Sequence, residues 1–277
     1  MFELANLEIH AWDGCNLSCE SCSHYSSLGL RGGPSDDDCR NWMMPWSSRL
    51  RPKIFSIVGG EPTLNPNLAE IVQSVGELWP DSRIRLVTNG FLLKRHPKLP
   101  EIMAPISERA YIEVSSHHGG AEYQSRFAPV RDICAEWQQR FGLDIRIRPA
   151  DARWTRRYWA AGSSVTFPDG EPRAAWEACE GKRCRQIFEG QLWKCPPIAY
   201  FELLAKSNQI DERWIKLAHS YKALDPACSD EELTAFLSRE EEEVCRLCPS
   251  KLEPFELQNP LLPRGQRRPE QPPRRLS

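Results

Sequence analysis

Eleven cysteines stand in this chain of 277 residues, and most of them are grouped. Cys15, Cys19 and Cys22 make the run "CNLSCESC", a C-x3-C-x2-C spacing. Three thiolates on one short loop can each hold one iron of a [4Fe–4S] cluster, which leaves the fourth iron open to a small molecule. The spacing is not the C-x2-C pairing usual in structural zinc sites, although a zinc knot is the competing use of such thiols. Cys184 and Cys195 flank a glycine turn at Gly190 in "CRQIFEGQLWKCP", a hairpin signal that brings two thiols together. Cys245 and Cys248 form a C-x2-C pair. Two and two make four ligands for one centre, which zinc and an iron–sulfur cluster both accept. Cys179 is a rival for the place of Cys184, which ranks higher because the hairpin sets it opposite Cys195. Cys134 reads as a core residue, Cys39 in "SDDDC" is uninformative, and Cys228 in "DPACSD" reads as a loop residue.

The rest of the composition narrows the setting. The formal net charge is -2, so no strong field draws the chain to nucleic acid or to a membrane surface. No run of 18 apolar residues marks a membrane span, and Met1–Glu8 lacks the basic and apolar regions of a secretory signal. The expected compartment is the reducing cytoplasm, where grouped cysteines serve metals rather than disulfides.

The elements that must position these residues are strands alternating with helices. "LEIHAW" alternates Leu7, Ile9 and Ala11 against Glu8, His10 and Trp12, the period of a strand. "KIFSIVGG", "RIRLVTNG", "YIEVSS" and "LDIRIRP" are four more strands. Between them, Leu68, Ile71, Val72, Val75 and Leu78 share one helical face, with Asn65 as cap and Pro66 in the first turn. Tyr123, Phe127, Val130, Cys134, Trp137 and Phe141 line another helix, which Gly142 ends. Such alternation predicts an α/β fold with a parallel sheet curled into a partial (β/α)6 barrel over residues 1–150. Ligands of parallel sheets bind beyond the carboxyl ends of the strands. The cysteine loop, "GGEP", "TNG" and "SSHH" all fall there. Residues 151–258 carry the later cysteines and form a small C-terminal region; residues 259–277, rich in proline and arginine, read as a disordered or loosely docked tail.

C-x3-C-x2-C after the first strand, followed by "GGEP" after the second, resembles the radical S-adenosylmethionine (SAM) enzyme superfamily. The resemblance implies that Cys15, Cys19 and Cys22 hold a catalytic [4Fe–4S] cluster whose open iron chelates SAM. It implies that Gly59 and Gly60 offer backbone contacts to the methionine ammonium and that the Glu61 carboxylate accepts a hydrogen bond from it. The reduced cluster would cleave SAM to a 5′-deoxyadenosyl radical that takes a hydrogen atom from the substrate. The residue before the third cysteine is usually aromatic in the superfamily and packs near the adenine; here it is Ser21, and His24 or Tyr25 just after can take that part. Asn89, Ser115 and His117 end strands and are candidate cofactor contacts, against the plainer reading of strand ends entering turns. Arg148 ends another strand and can bind the cofactor carboxylate or a substrate acid, or simply be solvated. A cysteine, a glycine-centred hairpin, "CP" and a distant C-x2-C are similar to the auxiliary-cluster region called twitch, a shortened SPASM domain. That implies a second [4Fe–4S] cluster on Cys184, Cys195, Cys245 and Cys248.

The implied reaction is hydrogen abstraction from a small polar substrate, a sugar, an aminocyclitol or a related intermediate, ending in epimerisation or dehydrogenation. Strand one starts near residue 1, with no recognition domain expected before it, which ranks a peptide substrate second. Cys228 is a candidate hydrogen donor, and "RWTRRYW" at Arg153–Trp159 can line the pocket or form an amphipathic surface helix. The resemblance implies a flavodoxin or ferredoxin as reductant. A zinc-stabilised binding module without catalysis is the non-enzymatic alternative.

Overall fold

In the computed structural model, which describes residues 1–151 and 154–266, the first half is a run of parallel strands. They are β1 (Phe2–His10), β2 (Leu50–Val58), β3 (Arg83–Thr88), β4 (Ala110–Ser116) and β5 (Asp144–Pro149). Helices α1 (Asp36–Ser47), α2 (Leu68–Leu78), α3 (Leu99–Met103) and α4 (Ala121–Phe141) lie between them. One face of the sheet carries Ile9, Ile57, Leu86, Ile112 and Ile145, all buried in one core with the apolar stripes of the helices. Each such side chain contributes roughly 1.5–3 kcal/mol. α2 and α4 follow their periodicity, and α4 stops at Gly142 with φ 68, the left-handed conformation glycine takes without strain.

The opposite face looks into the barrel, and charges stand on it. Glu8, Ser56 and Arg85 lie side by side on β1, β2 and β3. In the next layer His10 lies beside Val58, and Val87 beside Glu113. The period-2 pattern of β1 therefore does not mark a buried and a solvated face: Glu8 and His10 are as buried as Leu7 and Ile9.

The second half completes the sheet. It contains β6 (Trp159–Ala161), β7 (Ser164–Thr166), α5 (Pro172–Ala178), β8 (Arg185–Phe188), β9 (Gln191–Trp193), α6 (Pro196–Ala199), α7 (Phe201–Ser207), β10 (Gln209–Ile210), α8 (Glu212–Ser220) and α9 (Asp230–Ser238). The sheet order is β5-β4-β3-β2-β1-β8-β9. The sixth parallel strand is thus β8, which pairs with β1 rather than following β5. The β8–β9 hairpin turns on Glu189 and Gly190, both at positive φ (50 and 77), the signature of a tight two-residue hairpin loop. A second core of Tyr25, Tyr158, Phe167, Phe201 and Trp214 joins the cysteine loop to the later segment.

Three local expectations change. Asn65 does not cap α2; Asn67 sits at that position, while the Asn65 amide donates to the carbonyls of Ala11 and Pro34 at 2.7 and 2.9 Å. Cys39 lies in α1, fully buried, behind a Ser35–Asp38 capping box. The start of the expected tail is docked: Ser18 Oγ donates to the carbonyls of Pro260 and Leu262. Residues 267–277 lie outside the described residues. Among the described residues no helix is long and apolar enough to cross a membrane.

Candidate active site

The cysteine loop leaves β1 and is pinned at once to the end of β2. Gly60 N donates to Trp12 O at 2.7 Å and Glu61 N to Gly14 O at 2.9 Å. A Cβ on Gly59 would meet Trp12 O at 2.7 Å and one on Gly60 would meet Gly14 O at 2.1 Å. Only glycine permits this approach. The glycines therefore build the cysteine loop, and both also line the cavity beside it.

That cavity, of about 170 Å³, opens beyond the carboxyl ends of the strands. The structure brings together in its walls Cys15, Cys19, Cys22, Gly59, Gly60, Glu61, Asn89, Ser115 and His117. Leu17 N donates to Cys15 Sγ at 3.3 Å, and the amides of His24, Tyr25 and Ser26 turn toward Cys22. Burial pushes the Cys15 and Cys22 thiols up in pKa. Backbone N–H groups oppose that by favouring the thiolate, and a bound cationic iron centre would complete the ionisation. Three sulfurs on one wall, with amides aimed at two of them, fit a cluster. Cys19 Sγ lies 3.6 Å from Nδ1 of His117, whose pKa burial lowers to about 4, so this imidazole is neutral.

Glu61 is more committed than the sequence indicates. Its Oε1 accepts from Thr63 N, Thr63 Oγ1 and Thr88 Oγ1 at 3.0, 2.6 and 2.5 Å, and its Oε2 accepts from Asn89 N at 2.7 Å. It ties the end of β2 to the end of β3, and burial raises its pKa. Asn89 passes the tie on, donating to Asn16 Oδ1 at 2.7 Å.

Two expected cofactor contacts are not in this cavity. Tyr25 is buried in the second core, its hydroxyl donating to Pro197 O at 3.2 Å; His24 lines the cavity instead. Arg148 is exposed, paired with Glu113 at 3.2 Å, and is not a wall residue of this cavity. Ser21, where an aromatic residue was expected, lies at φ 55 and is a staple. Its Oγ donates to Tyr158 O at 2.8 Å and accepts from Arg157 N and Tyr158 N at 3.1 and 3.3 Å. Residues 154–159 of "RWTRRYW" are extended rather than helical. Trp154 lines the first cavity and Arg157 the next, while Arg153 lies outside the described residues.

A second cavity, of about 320 Å³, shares the walls Ser23, His24, Val58 and Val87 with the first. Glu8, Arg85, Glu113, Arg157 and Glu180 give it charge of both signs. Its far side is lined by Cys179, Cys184, Cys195 and Cys248. None of the charged groups on the barrel strands was anticipated. The signal was present: Glu8 and Arg85 interrupt apolar strands at inward positions.

Behind this lies a third, apolar cavity where Cys179, Cys195, Cys245 and Cys248 meet between Trp176, Ile198 and Leu247. Cys184 is not among them. The expected quartet is corrected at that place: Cys184 opens β8 and turns into the barrel beside Glu8, whereas Cys179, at the end of α5, faces Cys195 and the C-x2-C pair. Burial raises the Cys248 thiol to about 12 and pushes Cys195 up as well. Among the described residues, no three His, Cys, Asp or Glu groups close tightly enough around a point to hold one metal ion. Four thiols lining one apolar cavity are a donor set that an iron–sulfur cluster accepts.

Cys228 is far from all three cavities. It lies against Arg49, whose Nη1 donates to Cys228 Sγ at 3.1 Å, and Arg49 precedes Leu50 at the amino end of β2. The candidate donor is therefore at the opposite end of the barrel from the cysteine loop.

Residues 9–137 match the family model described as the Radical SAM superfamily. The GTP 3′,8-cyclase of Microcystis aeruginosa is 31% identical over 97 residues, covering 34% of this chain and 30% of that protein. The GTP 3′,8-cyclase of Streptomyces coelicolor is 32% identical over 93 residues, 32% of this chain and 27% of that protein. The chain thus spans under a third of the length of these curated relatives. Among solved structures, that of BtrN in complex with AdoMet and 2-DOIA aligns over 91% of this chain and 97% of its own, with 16% identity and a TM-score of 0.52, a likeness of fold. Residues 9–137, which hold the cysteine loop and the parallel strands from the end of β1 to β4, thus match a radical SAM domain.

Proposed function

We propose that this chain is a radical SAM enzyme that removes a hydrogen atom from a small polar substrate held between two iron–sulfur sites. The observation that carries the reading is the continuity of the cavities: the one beside Cys15, Cys19 and Cys22 shares four wall residues with the charged one, which reaches Cys179, Cys195 and Cys248. A volume of about 320 Å³ falls in the range of small-ligand sites, roughly 300–1,000 Å³.

When bound, SAM on a reduced [4Fe–4S] cluster supplies a 5′-deoxyadenosyl radical. The residues of this chain do the rest. Cys15, Cys19 and Cys22 hold the cluster, Asn89, Ser115 and His117 line the cofactor cavity, and Trp154 closes it against water. Glu8, Arg85, Glu113 and Arg157 orient polar groups of the substrate. Cys179, Cys195, Cys245 and Cys248 hold a second cluster in a dry pocket. Epimerisation and dehydrogenation are the two outcomes consistent with this layout, with a low-potential one-electron protein as reductant.

Anaerobic reconstitution with iron and sulfide tests the reading. The expected content is about eight irons per chain, four to each cluster. Cys179→Ser is expected to lower it to about four while SAM binding persists. Zinc instead of iron, or no 5′-deoxyadenosine on reduction with SAM, would sink the proposal.

A further inference from the structure

A fourth cavity, of about 420 Å³, shares no wall residue with the one beside the cysteine loop or with the charged one. β2 pairs with β1 from Phe2 onward, but β8 joins β1 only along Leu7–Ile9. Among the described residues no strand pairs with Glu3–Asn6 on the β8 side. The cavity fills that notch, at the amino end of the barrel. Its walls carry four cations, Lys182, Arg183, Arg185 and Arg239, against the carboxylates of Glu3 and Glu240. Glu240 is already paired with Arg173, and Arg239 with Glu242 at 3.3 Å. Glu3 is exposed, so water and salt screen it.

Arg185 is the residue that calls for a ligand. It is only 7% exposed, and its Nη1 donates to the carbonyls of Lys182 and Lys194 at 3.0 and 3.2 Å. Those two bonds use both hydrogens of Nη1 and leave the donors on Nε and Nη2 for another partner. Among the described residues no carboxylate pairs with Arg185. A buried charge is costly unless a counter-charge meets it. The one open space against this guanidinium is the cavity it lines, and the exposed Arg183 stands in the same wall.

We propose that this cavity binds a phosphorylated small molecule, with the phosphate group on Arg185 and Arg183. Planar guanidinium groups meet phosphate oxygens two at a time, and a doubly charged phosphate suits several cations better than a carboxylate does. The site is separate from the reaction proposed above and does not depend on it. Trp176 stands in the wall of this cavity and of the apolar one with the later cysteines. The Nζ atoms of Lys182 and Lys194 lie 5.7 and 4.6 Å from the centre of its ring. A bound ligand would therefore touch a side chain that also encloses Cys179 and Cys195.

Equilibrium dialysis of the full reconstituted chain against radiolabelled inorganic phosphate tests the proposal. Saturable binding of one phosphate per chain is expected. Arg183→Glu is a change at an exposed position and is expected to weaken binding about tenfold or more, since it removes a charge-assisted hydrogen bond. Arg185→Met is expected to abolish binding. Arg157→Ala, in the charged cavity, is expected to leave it at the wild-type value. The absence of saturable binding overturns the proposal, and so does unchanged binding in Arg183→Glu, whether or not Arg185→Met folds. Binding lost in Arg157→Ala alone places the phosphate in the charged cavity and overturns it too. Acetate that displaces phosphate at equal concentration overturns the choice of phosphate as the ligand group.

Discussion

The Glu61 carboxylate accepts a 2.7 Å hydrogen bond from the Asn89 backbone amide, and this one contact joins the loops that follow β2 and β3. Three further donors converge on the other carboxylate oxygen. Glu61→Gln keeps the shape but must turn an NH2 group toward one of these donors. Removing an acceptor from a buried donor costs about 1–3 kcal/mol, so a loss of that size is expected in urea unfolding. Glu61→Ala strands all four donors and is expected to lose more, together with SAM binding. If Glu61→Gln unfolds at the wild-type urea concentration, the tie is not structural.

Gly60 carries the next constraint. Its absent Cβ would fall 2.1 Å from Gly14 O and 2.6 Å from Ser26 Cβ, and backbone oxygen cannot swing aside. Gly60→Ala is therefore expected to force the cysteine loop off β2. The iron held by Cys15, Cys19 and Cys22 should be lost, with the iron at the later cysteines retained. Gly142→Ala is the control: its φ is positive, but nothing lies within 4 Å of its Cβ. It should cost about 1 kcal/mol and leave the iron content alone. Equal iron contents in the two variants would refute the packing argument.

The parts of this design visible in the sequence were those with local signals. The strand runs, the stripe from Tyr123 to Trp137 and the turn at Gly190 are all set by neighbours in the chain. So was the cysteine loop, because three ligands lie within eight residues. What escaped was non-local. β8 joins beside β1, and that places Cys179 rather than Cys184 among the later thiols; no spacing rule reports which way a cysteine turns from a strand. Glu8 reads as the polar side of a period-2 strand, yet the sheet curls and that face, with Arg85 on β3, is the cavity wall. α1 was missed although Ser35 and Asp38 announce it, since Pro45 and three consecutive acids masked its periodicity.

Ser21 shows how a departure from the superfamily pattern is used. It is buried, at positive φ, and its hydroxyl makes three hydrogen bonds to the backbone of residues 157 and 158. Ser21→Ala is expected to cost about 1–3 kcal/mol, since it leaves these groups unpaired, and to slow cluster reconstitution. Ser21→Phe, which brings in the usual aromatic residue, is expected to be worse, because position 21 is buried and at positive φ. Thermal melts of the reconstituted variants decide the order; a Phe variant as stable as wild type would show that the staple does not matter.

Arg49 and Cys228 form a fastening at the other end of the barrel. Arg49 Nη1 donates to the carbonyls of Pro226 and Cys228 at 2.8 and 2.7 Å, and Nη2 pairs with Asp230 at 2.7 Å at the start of α9. β1 pairs with β2 along its whole length, and nine residues at about 3.3 Å each put this point roughly 30 Å from the cysteine loop. No hydrogen atom passes directly over that distance. Cys228→Ala is therefore expected to leave the yield of 5′-deoxyadenosine, and its deuterium content in deuterated water, at the wild-type level. Arg49→Ala unpairs two part-buried carbonyls and an exposed carboxylate. It is expected to lose about 0.5–1.5 kcal/mol in urea unfolding, again with normal deuterium content. A Cys228→Ala variant that loses the deuterium label would give the donor role to Cys228 and would require the carboxyl and amino ends of the barrel to communicate in a way this fold does not provide.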